Sequence, residues 1–167
     1  SRYNQLPTES RTRFDSLLPP LIQVACNFSN PDETLERILH LVENISRRGT
    51  YLALLVEYPQ TLNQVAKLCS ASPWVSEYLT QHPVLLDELL DTRELYAQYD
   101  RDGLRNELKG LLHAAEGDTE RQMDIMRHFK QAQTFRLVAQ DLAGALPLEI
   151  LSDQLSDLAD MILTEDL

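Results

Sequence analysis

The stretch from Ser72 to Asp91, SPWVSEYLTQHPVLLDELLD, limits the folds open to this chain more than any other, because it spells out where helices start and stop. Ser72 before Pro73 reads as an N-cap followed by proline at the first helical position, where the missing N–H costs nothing and φ is already helical. Trp74, Val75, Tyr78 and Leu79 then share one apolar face. His82-Pro83 ends that helix and opens another, since a residue before proline is pushed out of the α region. Leu85, Leu86, Leu89 and Leu90 supply the next buried face. A chain cut in this way packs as short helices.

The same grammar extends in both directions. Phe14, Leu17, Leu18, Leu21, Ile22 and Ala25 keep helical spacing through Pro19-Pro20, which predicts one kinked helix or two stacked ones. Asn30-Pro31-Asp32-Glu33 is a helix start with a cap, a proline and acids in the first turn. Its helix runs through Leu35, Ile38, Leu39, Val42 and Ile45 to Arg47 and Arg48, with Gly49 as an αL terminator. A turn of helix near Tyr96 leads to Asp100, from which Leu104, Leu108, Leu111, Leu112 and Ala115 run to Gly117. Asp118 caps the longest helix, about 119 to 143, closed by Gly144. Pro147 begins the last one or two helices, with Ser152 as a possible internal cap and Leu155, Leu158, Ala159 and Ile162 facing inward. The expected fold is all-α, a compact multi-helix bundle of about eight to ten helices. Residues 1–7 are expected to fray, and 8–167 to form a single helical domain with 8–98 and 99–167 as possible lobes.

YLALLVEYP at 51–59, CSASPW at 69–74 and FKQAQTFRLVAQDLAGALP at 129–147, taken with the stretch above, resemble the bacterial glutamine synthetase adenylyltransferase family, whose members both attach and remove adenylyl groups. The resemblance is clearest from Arg47 to Leu163 and falls on the centre of such enzymes, and the absence of an initiator Met agrees with an excised piece. It implies two flanking nucleotidyltransferase domains, one adding AMP to a glutamine synthetase tyrosine with ATP and Mg²⁺ and the other removing it. It further implies that the central region relays glutamine and PII-type protein signals between those activities. A purely structural spacer between the domains is the alternative.

The residues themselves argue against catalysis in this stretch. A nucleotidyltransferase needs a Gly-Ser turn for triphosphate oxygens and paired strand carboxylates for Mg²⁺, and the sequence offers no Gly-Ser dipeptide and no strand candidate. Asp100-Arg101-Asp102 sits at a helix start and reads as a cap; as a calcium loop it fails, with Gln98 and Lys109 at its first and last ligand positions. His40, His82, His113 and His128 lack zinc spacing, although His40 has Glu36 and Glu43 on its helix face. No catalytic, cofactor-binding or metal residue is therefore assigned. The net charge of −11 disfavours nucleic acid and anionic lipid as partners. Cys26 and Cys69 read as buried, reduced thiols. With no apolar run of about eighteen residues and no signal peptide, the expected compartment is the cytoplasm.

The candidate interdomain or effector contacts are cationic and amide side chains. On the 119–143 helix, Ile125, Phe129, Ala132, Phe135, Ala139, Leu142 and Ala143 share an apolar arc with Gln133, Arg136 and Gln140 on its rim. Arg136 beside a core calls for a carboxylate or several carbonyls, since an unpaired buried charge costs several kcal/mol. Arg47 and Arg48 read as C-terminal complements to a helix dipole, or as a docking patch. Asp153, Asp157 and Asp160 recur along the last helix as a solvated face. Trp74 is expected to be a core anchor, with ligand stacking as its alternative.

Overall fold

The structure, a computed structural model, describes residues 2–165, and the side chains of residues 3–164. Among them are nine α-helices, two 3-10 segments and no strand: α1 (Thr8–Ala25), α2 (Pro31–Ile45), α3 (Gly49–Glu57), α4 (Pro59–Ala71), α5 (Pro73–Gln81), α6 (Thr92–Leu95), α7 (Arg101–Ala114), α8 (Thr119–Leu142) and α9 (Leu148–Glu165), with 3-10 turns at Arg2–Gln5 and Pro83–Leu89. Proline opens α2, α4, α5 and the second 3-10 segment. The chain divides into two compact units, Ser1–Thr92 and Arg93–Leu167.

In the first unit α2 packs on α1, α4 and α5, while α1 also meets α3 and α4. Leu17, Leu21, Ile38, Leu41, Ile45, Leu52, Leu55, Leu62, Val65, Val75, Leu79, Leu85 and Leu86 are essentially removed from water. The helix entry at Ser72 forms as its sequence dictates, the hydroxyl accepting from the Val75 N–H at 3.3 Å. At Asn30 the cap position is right, but its side chain makes no cap bond. Its amide donates to the Ser70 carbonyl at 3.1 Å and its oxygen accepts from the Ser70 hydroxyl at 2.7 Å, tying the start of α2 to the end of α4.

Residues Arg2–Gln5 form a 3-10 turn, Leu6 is buried, and the Tyr3 hydroxyl reaches the Asp15 carboxylate at 2.8 Å. Ser1 lies outside the described residues. Several expectations are corrected by the structure. Gly49 is not an αL terminator but the first residue of α3; a Cβ there would come within 3.0 Å of the Arg13 guanidinium, which donates to the Gly49 carbonyl. The two positive-φ glycines are Gly117 and Gly144, each closing the helix assigned to it. Cys26 is exposed, because it stands one residue past the last buried position of α1; Cys69 is buried, and desolvation pushes its thiol up to about 11. Ser152 is no internal cap: α9 is continuous, and the Ser152 carbonyl accepts from the Ser156 hydroxyl.

A further correction is Trp74, which is 49% exposed, with its ring stacked on Tyr78 at 4.7 Å. The α5 face that enters the core is carried by Val75, Ser76 and Leu79, one step round the helix from the indole. Trp74→Ala is accordingly expected to cost no more than about 1.5 kcal/mol, the scale of one aromatic pair, in chemical denaturation. A loss of the size of a buried aromatic deletion would show that the indole does anchor the core.

In the second unit α8 packs on α7 and α9. Leu108, Phe129, Leu158 and Met161 form a core flanked by Leu104, Leu112, Ile125, Met126 and Ile162. Leu111 faces water at 43% exposure, and on α9 Leu151 and Met161 are buried while Ala159 is exposed. The C-terminal half of α8 is covered on several sides: Ala132, Phe135, Leu137 and Ala139 are buried, and so are Gln133 and Gln140.

Candidate functional site

Three of the five sequence-derived contact residues meet in one place within the second unit. Gln133, Arg136 and Gln140 stand at i, i+3 and i+7 on α8 and so share a strip of its surface. With Leu137 they form one wall of an open cleft of about 330 Å³, whose other wall is Glu94, the segment from Ala97 to Asp100, and Gly103, Leu104 and Glu107 of α7. These residues, expected on the rim of the apolar arc, are largely enclosed. Gln133 and Gln140 are each only 7% exposed, and the Arg136 side chain is 23% exposed.

Gln140 builds the far wall. Its Nε2 donates to the Leu95 carbonyl at 3.0 Å and to the Ala97 carbonyl at 2.9 Å, which fixes the backbone between α6 and α7 against α8. Both bonds lie within the second unit, Arg93–Leu167. The carboxylate that Arg136 calls for is that of Glu94, its Oε2 lying 4.0 Å from Nη1. At that range and with Glu94 67% exposed, the attraction is a screened one.

Asp100 is committed to structure. Its carboxylate accepts from the Gly103 N–H at 3.1 Å, capping α7, and any Cβ at Gly103 would collide with that carboxylate. That bond occupies one oxygen of the Asp100 carboxylate, as the reading of Asp100 as a helix cap expects. Among the described residues no group of three or more His, Cys, Asp or Glu is placed to hold a metal ion. The hydroxyls of Tyr99, which lines the cleft, and of Tyr96 are buried without a partner among the described residues. Burial raises the pKa of both, and Asp157 raises that of Tyr99 further, so both remain neutral donors at physiological pH. Asp157, on the face expected to be solvated, pairs with Arg101 at 3.3 Å and joins α9 to the start of α7.

Arg47 and Arg48 contribute nothing to this cleft. They lie in the first unit, exposed, in the turn between α2, which ends at Ile45, and α3, for which Arg48 is the N-cap residue. Placed at the positive start of α3, Arg48 does not complement that helix dipole.

The cleft offers donors from Arg136 and Gln133 and acceptors from Glu94 and Glu107, a set suited to a small polar molecule of mixed charge or to side chains of a neighbouring domain. A profile of the family described as glutamate-ammonia ligase adenylyltransferase matches residues 62–167. The bifunctional glutamine synthetase adenylyltransferase/adenylyl-removing enzyme of Chromobacterium violaceum is 59% identical over 97% of this chain. The chain belongs to this adenylyltransferase family. Enzymes of the same name from Aromatoleum aromaticum and Neisseria meningitidis serogroup A are 54% and 49% identical, over 95% and 97% of the chain. The chain spans only 17–18% of the length of these adenylyltransferases. The matched region begins within α4 and includes every residue of the cleft.

The walls contributed by Glu94 and residues 97–100 escape a sequence reading, since this segment carries no periodic signal. The regular spacing of Gln133, Arg136 and Gln140 was the available clue: two amides and a guanidinium on one helical strip need partners once that strip is covered.

Proposed function

We propose that this chain is the central, non-catalytic regulatory and linker region of a bifunctional adenylyltransferase, relaying glutamine and PII-type protein signals between the attachment of AMP to glutamine synthetase and its removal. The observation that carries this reading is the convergence of Gln133, Arg136 and Gln140 on a polar cleft that also carries Glu94 and Glu107, and in which Asp100 caps a helix. ATP and Mg²⁺ would serve catalytic domains elsewhere in such a chain. Its expected neighbours are those domains, glutamine synthetase and the signalling protein. A cytoplasmic location is consistent with the described residues, none of whose helices is long and apolar enough to cross a membrane.

Regulation of this kind acts by differential affinity for two enzyme states, with coupling of about 1–3 kcal/mol. In the full-length enzyme, Arg136→Met is expected to shift the glutamine midpoint by about 5-fold or more while each basal activity stays within about 2-fold. The Arg47→Gln/Arg48→Gln variant tests the first unit's turn in the same assay. An equal fall in both activities with a lowered melting point would instead identify Arg136 as a structural brace and favour the spacer.

A further inference from the structure

On the first unit, and independently of the cleft, α2 and α5 present an exposed face that the regulatory reading does not use. Trp74 is half exposed and stacks on Tyr78 at an interplanar angle of 15°. Tyr78 in turn meets the His82 ring edge-on at 4.8 Å. These residues, at i, i+4 and i+8, make a continuous aromatic ladder along α5. Such rings lose little conformational freedom on binding and supply large contact areas.

The next strip of α5 carries Glu77, which faces α2 across an open groove of about 740 Å³. Leu35 and Leu39 lie partly exposed along it, with Glu36 and Glu43 exposed at its edge. The two basic side chains that line the groove, Arg37 and His40, each stand beside a carboxylate. Arg37 pairs with Glu33 at 3.2 Å and donates to the Cys69 carbonyl at 2.8 Å. His40 lies 3.8 Å from the Glu77 carboxylate. The groove is thus aliphatic with an acidic border and adjoins the aromatic ladder on the next strip of α5, in a chain whose net charge is −11.

We propose that this face docks an arginine-bearing segment of a partner protein. A guanidinium lies flat on an indole and pairs with carboxylates through its planar fork, whereas an ammonium is more strongly hydrated and lacks that fork. Leucine-sized side chains of the same segment would cover Leu35 and Leu39. The charge disfavours an acidic peptide, nucleic acid or anionic membrane on the same surface.

Trp74 is the single tryptophan of the chain, so its fluorescence reports on this face directly. The probes are three short amphipathic peptides that differ only in carrying arginine, lysine or glutamate beside their leucines, titrated into the 167-residue chain. The arginine peptide is expected to change Trp74 emission saturably, with the lysine peptide several-fold weaker and the glutamate peptide silent. Glu36→Gln/Glu77→Gln should weaken the arginine peptide about tenfold, the sum of two modest charge contacts. Asp153→Asn/Asp160→Asn, in the other unit, should leave it unchanged. An emission that does not respond, equal binding of the arginine and glutamate peptides, or equal weakening by both double variants would overturn the proposal.

Discussion

Phe135→Ala is expected to destabilise the protein by about 3–5 kcal/mol, the largest single-residue effect predicted for this chain. The ring is fully buried, on the arc of α8 that also carries Ala132 and Ala139. Alanines beside it let neighbouring chain approach closely but offer no side chain able to swing into the void left by the ring. The lost transfer energy and the residual cavity therefore add. In urea, with a slope of about 1–3 kcal/mol per molar, the midpoint should fall by more than about 1 M. The contrast with Trp74→Ala is the sharper test, since both remove an aromatic side chain and only one removes it from the interior. Equal midpoints for the two variants would contradict the packing described here.

Gln140→Leu is expected to cost about 2–3 kcal/mol despite conserving much of the side-chain volume. Removing the amide leaves two carbonyls without their donor. That of Leu95 is buried and bears most of the penalty, while that of Ala97, nearer the surface, recovers a partner from water. Hydrogen exchange should show faster opening of residues 96–100 than of α7 or α9. Gln140→Glu should be no milder, because it sets an acceptor against two acceptors. Unchanged exchange in both variants would mean that the tether does not hold the wall.

The physical reasons for these effects were unequally visible in the sequence. Helix starts at Pro31, Pro59 and Pro73, the caps at Ser72, Asp100 and Asp118, and the closing glycines 117 and 144 are local, and local chemistry decides them. The 3-10 turn at Arg2–Gln5 was not legible, since it is held by Asp15 from the following helix. Trp74 was misplaced because an apolar arc drawn from residue type alone does not reveal which of two adjacent strips meets a neighbour. For the cleft, the residues of α8 were legible as a set and their partners were not. Gln140 is satisfied by the backbone, and carbonyl oxygens leave no trace in residue identity.

That last contact has an evolutionary consequence. Gln140 grips main-chain oxygens at positions 95 and 97, a bond that does not depend on the identity of either side chain, while Ala97 and Gln98 are both exposed. The scaffold is thereby uncoupled from the chemistry it displays: substitutions at 97 and 98 can re-tune what the wall presents while its path through space is kept. A relative that retains the amide at 140 is free to vary the surface at these two positions, and one that loses it must find another donor before it can do so.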